Sequence, residues 1–342
     1  MTSTTEVATT TNARRWLRPL GLLLLSLACA WIIVGLVGRV DWHAVGDALG
    51  KLAVWQAPVL LAVLVVRQVL NAAPLAVFIE GLGLRRAVQN DQSAILMSTI
   101  APPPADLVLR LSMFASWQIS ATRGLAGAMM NTVTFYVIRF AAPVLGVVLV
   151  AGSAVPYHAI YGWSAVLGGA VALTILGLLW AALRKETAAL WIGRTAGQAC
   201  RRVRRSVDPE SWAASASDFR SHVVRRSPRG VPLSLASLLA MVVVDGLLLT
   251  LCLRCVGVPA SALSAVGVVG VFLVVYPLTL FPLAGLGVLD AVVLAALVET
   301  GGLALEPEIV GGLVVYRVTT LLVPMLFGMA SVAWWRHKEG AT

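Results

Sequence analysis

The sequence predicts an all-α polytopic membrane protein with about six full transmembrane helices and two re-entrant helix hairpins in an inverted repeat. Its composition is 59% hydrophobic and only 12% charged, with a mean hydropathy of +0.88, which is far from the balance of a soluble globular protein. Apolar runs long enough to cross about 30 Å of hydrocarbon recur along the whole chain. Two further hydrophobic segments are broken by proline or glycine, and each is followed by an apolar span that contains one arginine.

The elements follow one another in a regular order. Residues 1–19, which begin with a Thr- and Ser-rich stretch, are expected to be a disordered cytoplasmic N-terminus. The broken pairs are predicted at 93–117 and 262–298, because each is too interrupted for one straight span. The full spans are predicted at Leu20–Val37, Pro58–Ile79, Leu125–Val150, Trp163–Leu183, Val231–Val256 and Ile309–Trp335.

The spacing of the broken segments indicates an internal repeat. Pro102 and Arg139 are 37 positions apart, and Pro282 and Arg317 are 35 positions apart. Repeated broken helices beside buried charges are typical of a transport site near the middle of a membrane. The first repeat is predicted to cover residues 20–160.

The second repeat is predicted to cover residues 161–342. Each half would cross the membrane three times, so the second half would begin on the opposite side and its hairpin would enter from outside. Irregular backbone at membrane depth is tolerated where protein or water satisfies its polar groups, which favours two hairpins that line a cavity. One tilted and kinked helix in place of each hairpin is the alternative.

The distribution of basic residues predicts the orientation. With this set of spans, 19 of the 26 Lys and Arg residues lie on one side, including 11 in the loop 184–230, and that side should be the cytoplasm. Both termini are then cytoplasmic. The residues expected inside include Arg85, Arg86 and Arg123, whereas Arg39, Lys51 and Arg254 fall outside.

The loop 184–230 mixes basic and apolar residues, among them Leu190, Trp191 and Ile192. It is expected to form interfacial helices on an anionic lipid surface, where each basic residue contributes about 1 kcal/mol. A nucleic acid partner would also suit the pI of about 10.2, but cytoplasmic basic loops account for it, and nucleic acid is not expected to bind.

Four arginines lie at membrane depth: Arg67, Arg110, Arg139 and Arg317. An arginine in lipid costs roughly 2.5–3.5 kcal/mol on insertion scales, so it is retained with a partner or a function. Its planar guanidinium matches phosphate oxygens bidentately, which favours a phosphate-bearing ligand. We therefore expect Arg110, Arg139 and Arg317 to converge on one cavity.

The acidic residues at membrane depth allow two interpretations. Asp106 and Arg110 are four apart on one helical face, and they form either a structural ion pair or a site in which Asp106 orients a headgroup held by Arg110. Arg67 and Asp245 are likewise either a plain buried bridge or part of that site.

Motifs for catalysis or metal binding are not found. The histidines lack metal-ligand spacing, and Cys252 and Cys255 form a lone CxxC at a helix end, which favours packed thiols. Paired catalytic carboxylates and nucleophile motifs are absent from the sequence. No cofactor and no enzymatic activity are expected.

At the two broken segments and the charged residues beside them, the chain resembles a known family, the membrane domain shared by lysylphosphatidylglycerol synthases and stand-alone flippase-like proteins. The late signature of this family is similar to Pro282, Gly285, Gly287 and Asp290, with Ala284 where a second glycine is common. The span that follows contributes Arg317 and Pro324.

The early signature resembles Pro103, Asp106 and Arg110, with Ala105 in place of the usual glycine. The prolines and glycines expected to form the two turns are Pro102, Pro103, Pro104, Pro282, Gly285 and Gly287. The resemblance implies a multi-pass protein of the bacterial inner membrane. The synthases add an aminoacyl-transfer domain after the membrane region, and since the sequence ends at Thr342 that activity is not expected.

Lipid translocation is the function these features favour, with an anionic or aminoacylated phospholipid, or a related lipid, as substrate. A secondary transporter of a small anionic or amphipathic solute is the main alternative, and an accessory to a lipid-modifying enzyme is another. The lipid, the direction, the energy source and the oligomeric state are left open, a homo-oligomer included. The substrate-binding residues expected are Arg110, Arg139, Arg317, Asp106, Arg67, Asp245 and Asp290.

Overall fold

A computed structural model describes residues 42–101, 104–203 and 227–339, together with positions 208, 210, 211, 214 and 217. Over these residues the chain consists of helices and turns, without a β-strand. The predicted disordered N-terminus, the predicted span Leu20–Val37, Pro102, Pro103 and most of the loop 204–226 lie outside the described residues.

The helices of the first half are separated by short turns. In chain order they are α1 (Trp42–Gly50), α2 (Gln56–Phe78), α3 (Gly83–Ile100), α4 (Ala105–Ser116) and α5 (Ala121–Ala151).

The helices of the second half follow after a short turn at residues 152–158. They are α6 (Ala159–Arg184), α7 (Glu186–Val203), α8 (Ser227–Cys255), α9 (Ala265–Val275), α10 (Val288–Gly301), α11 (Glu306–Arg317) and α12 (Val323–Glu339).

Six of the described helical stretches are long and apolar enough to cross a membrane. Five of them coincide with predicted spans, and these predictions are confirmed as helices. The remaining stretch, Leu283–Gly301, contains the break that the sequence predicts in the second broken pair. The six stretches are Gln56–Phe78, Ala121–Ala151, Ala159–Arg184, Pro228–Cys255, Leu283–Gly301 and Leu303–Lys338.

The predicted start of the first broken pair at residue 93 is wrong, because α3 already begins at Gly83. The middle of α3 is polar, yet its residues Asn90, Asp91 and Gln92 are buried. Neighbouring helices hydrogen-bond to each of these side chains, with Gln92 Nε2 alone left without a partner, so low hydropathy does not keep α3 out of the bundle. Arg85, expected in a loop, consequently lies in the first turn of α3.

The first break lies between Ile100 and Ala105. Ala101 has extended backbone angles, φ −126° and ψ 149°, as expected for a residue that precedes a proline. Beyond the break α4 packs back along α3, since the Arg86 guanidinium lies 5.5 Å from the ring of Trp117. The start of α3 and the end of α4 are therefore neighbours.

The second break occupies residues 276–287. A 3-10 turn at Tyr276–Leu280 is followed by a tight turn in which Leu283 and Ala284 have left-handed angles, with φ of 51° and 55°. Left-handed angles cost a non-glycine residue about 1–2 kcal/mol each, so the surroundings must hold this turn. Leu263, just before α9, lies next to Gly301 at the end of α10, so this segment also returns to where it started.

One end of the bundle, which we call the Trp335 end, is where α12 finishes. The indole of Trp335 donates a hydrogen bond to the Ser116 hydroxyl at 2.9 Å, and the Arg85 guanidinium lies 4.4 Å from the ring of Trp334. The start of α3 and the end of α4 thus both lie at the Trp335 end.

The opposite end, the Gly301 end, is where α10 finishes. The imidazole of His158 lies 2.9 Å from the Glu299 carboxylate, and Lys51 pairs with Glu308 at 3.1 Å. The first contact brings the start of α6 to the end of α10, and the second brings the end of α1 to the start of α11.

Two close helix contacts relate the halves to each other. At Gly146 in α5 a Cβ atom would lie 2.6 Å from the backbone nitrogen of Val274 in α9. At Gly328 in α12 a Cβ atom would lie 2.7 Å from the carbonyl oxygen of Gln92 in α3. The last span of each half therefore packs closely on the first arm of the other half's broken pair, and both contacts require glycine.

The last span changes its winding immediately after Arg317. Residues Val318–Leu322 form a π-helical turn between α11 and α12. Such turns are frequent at functional sites. Pro324 lies two residues after this π-helical turn and lacks the N–H that a regular helix would need.

The helix α7 lies in the predicted interfacial loop and is separated from α6 by Lys185 alone. Its Trp191 is exposed, and Arg194 donates from Nε and Nη2 to the Glu210 carboxylate at 2.8 and 2.9 Å. This bidentate pair lowers the pKa of Glu210, because hydrogen bonding by Arg194 favours the charged carboxylate.

Candidate functional site

Arg67 and Asp245 join α2 to α8 at the middle of two apolar spans. The Arg67 Nη2 atom lies 3.0 Å from Asp245 Oδ2, and the Tyr316 hydroxyl donates to Asp245 Oδ1 at 3.0 Å. The Asp245 side chain is only 3% exposed. The carboxylate is therefore neutralised by Arg67 and held by a second donor from α11.

A chain of polar contacts continues from this pair towards the first broken pair. Arg67 Nη1 donates to the Gln68 side-chain oxygen at 2.6 Å, and the Gln68 amide donates to Gln92 at 3.0 Å. Hydrogen bonds thus connect α11, α8, α2 and α3 in one buried path.

Arg110 pairs with Asp91 and not with Asp106. Its Nη2 atom lies 3.0 Å from Asp91 Oδ1, and its Nη1 donates to the Asn90 side chain at 3.0 Å. The other carboxylate oxygen of Asp91 accepts from the Asn71 amide at 2.7 Å. The Asp106–Arg110 ion pair that the spacing suggested is wrong, because the neighbouring arm α3 presents Asp91 directly to Arg110.

Arg317 fastens the last span to the second break. Its Nε atom donates to Asp290 Oδ1 at 2.7 Å, and Nη1 donates to the Ala284 carbonyl at 3.3 Å. Asp290 Oδ2 also accepts from the backbone N–H of Gly287 at 2.8 Å, so one carboxylate caps α10 and binds the arginine. The Nη2 atom of Arg317 is buried without a hydrogen bond.

Arg139 differs from the other three membrane arginines. Its guanidinium lies 4.5 Å from the ring of Phe135 and 5.5 Å from that of Tyr136, both one turn earlier in α5. Its Nε atom is buried without a hydrogen bond, and within the described part of the chain Arg139 has no acidic partner. Arg139 as a whole is half-buried, and its guanidinium nitrogens are donors only, so the partner they lack is a hydrogen-bond acceptor.

Asp106 is a further charge at membrane depth without an ion-pair partner. It lies half-buried in the first turn of α4, two residues after Pro104, and it forms no ion pair with any residue that the structure describes. Asp290 occupies the corresponding place in the first turn of α10, where it does pair with an arginine.

Two buried tyrosines, Tyr276 and Tyr316, pack edge-on against Phe272. The Tyr316 hydroxyl donates to Asp245, the partner of Arg67, and the Arg317 guanidinium lies 5.8 Å from the Tyr316 ring. Among the described residues no hydrogen bond or ion pair joins Arg110 or Arg139 to this group. Tyr316 therefore lies beside both Arg67 and Arg317, while Arg110 is engaged with α3.

The sequence prediction missed Asp91 and the two tyrosines. The sequence prediction left Asp91 between two spans. The polar run Asn90-Asp91-Gln92-Ser93, directly before an apolar stretch, could have indicated a buried polar segment there. With Asp91 counted, three of the four membrane arginines have a carboxylate each, and the shortage of acids concerns Arg139 alone.

A helical bundle with buried arginine–aspartate pairs inside long apolar spans defines a multi-pass membrane protein. The sequence characteristic of the lysylphosphatidylglycerol synthase TM region matches residues 20–328, and the chain belongs to that family. Membership of this family indicates a membrane protein related to lipid handling. No curated protein and no solved structure matches the chain significantly.

Proposed function

We propose that the protein is a flippase-like transporter that moves an anionic or aminoacylated phospholipid, or a related lipid, across the bacterial inner membrane. The observation that carries the proposal is Arg139, a half-buried arginine in the middle of an apolar span whose buried Nε has no hydrogen bond and which has no carboxylate partner among the described residues. A charge of this kind is costly in lipid, and a phosphate group entering from the membrane would supply the missing anion. The lipid leaves chemically unchanged, so the protein acts as a transporter and not as an enzyme.

Two re-entrant hairpins at opposite ends of the bundle form part of this proposal. Both arms of the first broken pair reach the Trp335 end, and both arms of the second reach the Gly301 end. The span α5 supports their opposite orientation, because its Gly124 lies on Phe114 of α4, whereas its Gly146 lies on Val274 of α9. The breaks then meet near the midplane from opposite sides.

An inverted repeat explains the reciprocal packing of the halves. The close approach of α5 to α9 has its counterpart in the close approach of α12 to α3. The halves differ in one respect: Asp290 and Arg317 are paired, whereas Asp106 and Arg139 are not. Two related half-sites in different states are what alternating access requires.

The basic residues support an orientation with the Trp335 end in the cytoplasm. Arg85 and Arg86 at the start of α3 lie at this end, as do Arg336 and Lys338 in the last turn of α12. Lys51 is bonded at the Gly301 end. An excess of Lys and Arg marks the cytoplasmic side, and both termini would then be cytoplasmic. The helix α7 would lie on the anionic leaflet there through Trp191 and its basic residues.

Lipid scrambling in proteoliposomes tests the function. Fluorescent phosphatidylglycerol should equilibrate between leaflets with the wild-type protein and not with Arg139→Met. Arg229→Met, which removes one exposed positive charge, is the matched control and should transport normally. Wild-type rates with Arg139 and Arg317 both changed to methionine would refute the arginine-based mechanism.

The same vesicles separate the alternative functions. Uptake of water-soluble glycerol 3-phosphate in place of lipid would identify a transporter of small anions. Recovery of a chemically altered lipid would identify an enzyme. Either result would overturn the proposal.

A further inference from the structure

One side of α5 faces an arm of each broken pair. Gly124 packs on Phe114 of α4, and Gly146 packs on the backbone of Val274 in α9. With about 100° of rotation per residue, the two glycines lie within roughly 40° of each other around the axis of α5. The part of this side that separates them therefore runs from α4 to α9.

Two polar residues with unused hydrogen-bonding atoms lie in this stretch. Asn131, Phe135 and Arg139 follow one another at intervals of four residues, which places them on one side of the helix. The side-chain oxygen Oδ1 of Asn131 and the Nε atom of Arg139 are both buried, and neither has a hydrogen bond among the described residues. The stretch therefore lacks a donor for Asn131 as well as an acceptor for Arg139.

The two side chains are close enough for one ligand to reach both. The Arg139 side chain turns back along α5, as long side chains in helices do, and its guanidinium lies 4.5 Å from the Phe135 ring. Phe135 is one turn, or about 6 Å, from Asn131 along the axis. Asn131 as a whole is half-buried, and the amide torsion of asparagine is broad, so its Oδ1 atom can turn towards a ligand.

We propose that Asn131 accepts a hydrogen bond from the headgroup of the lipid whose phosphate Arg139 binds. This inference rests on the proposed function and narrows its substrates to phospholipids whose headgroup carries an O–H or N–H donor, such as a glycerol or a primary amine. The asparagine oxygen is uncharged, so it selects for a donor and not for a net charge. A methyl ester or a quaternary ammonium group leaves this oxygen unpaired and binds more weakly.

Two short-chain lipids of equal charge test the assignment. Dihexanoyl-phosphatidylglycerol and dihexanoyl-phosphatidylmethanol are both singly negative phosphodiesters, but only the first has headgroup hydroxyls. Calorimetric titration of the purified wild-type protein should show about tenfold tighter binding of phosphatidylglycerol, as expected for one hydrogen bond to a buried acceptor.

The change Asn131→Leu should abolish this preference. Binding of phosphatidylglycerol should weaken to the level of phosphatidylmethanol, whereas binding of phosphatidylmethanol should stay as in the wild type. Thr132→Ala is the matched control, because it removes an exposed hydroxyl of the adjacent residue that bonds only to the Ala128 carbonyl, and it should keep the preference.

The outcomes separate the inference from the function on which it rests. Equal wild-type affinities for the two lipids would overturn the headgroup contact and leave the proposed function standing, and this comparison needs no variant to fold. A preference that survives in Asn131→Leu, or an equal weakening of both lipids, would overturn the role of Asn131. Failure of the wild-type protein to bind either lipid would overturn the proposed function and the inference together.

Discussion

Asp290 and Arg317 form a 2.7 Å contact that ties the last span to the turn that breaks the second pair. Both side chains are 12% exposed, and the same carboxylate accepts the N–H of Gly287. The pair therefore controls the geometry of the turn as well as the charge of the site.

Replacing Arg317 by methionine should destabilise the protein, because it leaves Asp290 buried without its cation. We expect the free energy of unfolding to fall by about 3 kcal/mol. Asp290→Asn in the same chain removes the stranded charge and should restore most of the loss, which thermal denaturation in detergent would measure. Equal stability of the single and double variants would contradict the pairing.

Arg139→Met should behave in the opposite way, because no carboxylate is stranded when this guanidinium is removed. Stability should be unchanged or slightly higher, while lipid scrambling is lost. Arg67→Met is the matched comparison, since it strands Asp245 and should lower the thermal midpoint clearly. A similar fall in both variants would show that Arg139 has a structural partner.

Exchange of charges between Asp106 and Arg139 tests whether they pair in the opposite-facing conformation. Asp106→Arg and Arg139→Asp should each reduce scrambling, and together they should restore part of it. The control combines Asp106→Arg with Arg110→Asp, which should restore nothing because Arg110 is bound to Asp91. Scrambling by the Asp106→Arg, Arg139→Asp double variant that does not exceed that of either single variant would refute pairing of Asp106 with Arg139.

The orientation can be tested with single cysteines in a chain freed of its native ones. Gln198→Cys in α7 should react with an impermeant maleimide only in inverted vesicles. Ser261→Cys, exposed at the Gly301 end, should react only in right-side-out vesicles. The reverse labelling pattern would overturn the topology.

The left-handed turn offers a stability test that leaves every charge in place. Ala284→Gly should raise the free energy of unfolding by about 1 kcal/mol, because glycine adopts a φ of 55° without strain. Ala295→Gly, at an exposed position inside α10, should lower it by a similar amount. A loss of stability with Ala284→Gly would mean that the alanine side chain makes contacts worth more than the strain.

Hydropathy was sufficient to predict five of the spans, because lipid-facing helices must be apolar, and the clustered prolines and glycines located both breaks, whereas single prolines such as Pro74 and Pro143 lie inside helices. It failed at α3, where Asp91 and Gln92 are accepted into the bundle by partners on α2 and α4. Helix packing determines which acid pairs with which arginine. The four-residue spacing of Asp106 and Arg110 therefore suggested an ion pair that does not form.

The π-helical turn at Val318–Leu322 determines how the protein responds to single-residue deletions in this segment. A π turn holds about one residue more than an α-helical turn, so deleting a single residue there would let the chain return to regular winding. Every later position would then keep its face of the helix, because the extra residue of a π turn adds little rotation. Gly328 would stay opposite Gln92, whereas a one-codon deletion inside the regular helix between Pro324 and Gly328 would rotate Gly328 by about 100° and should be far more harmful.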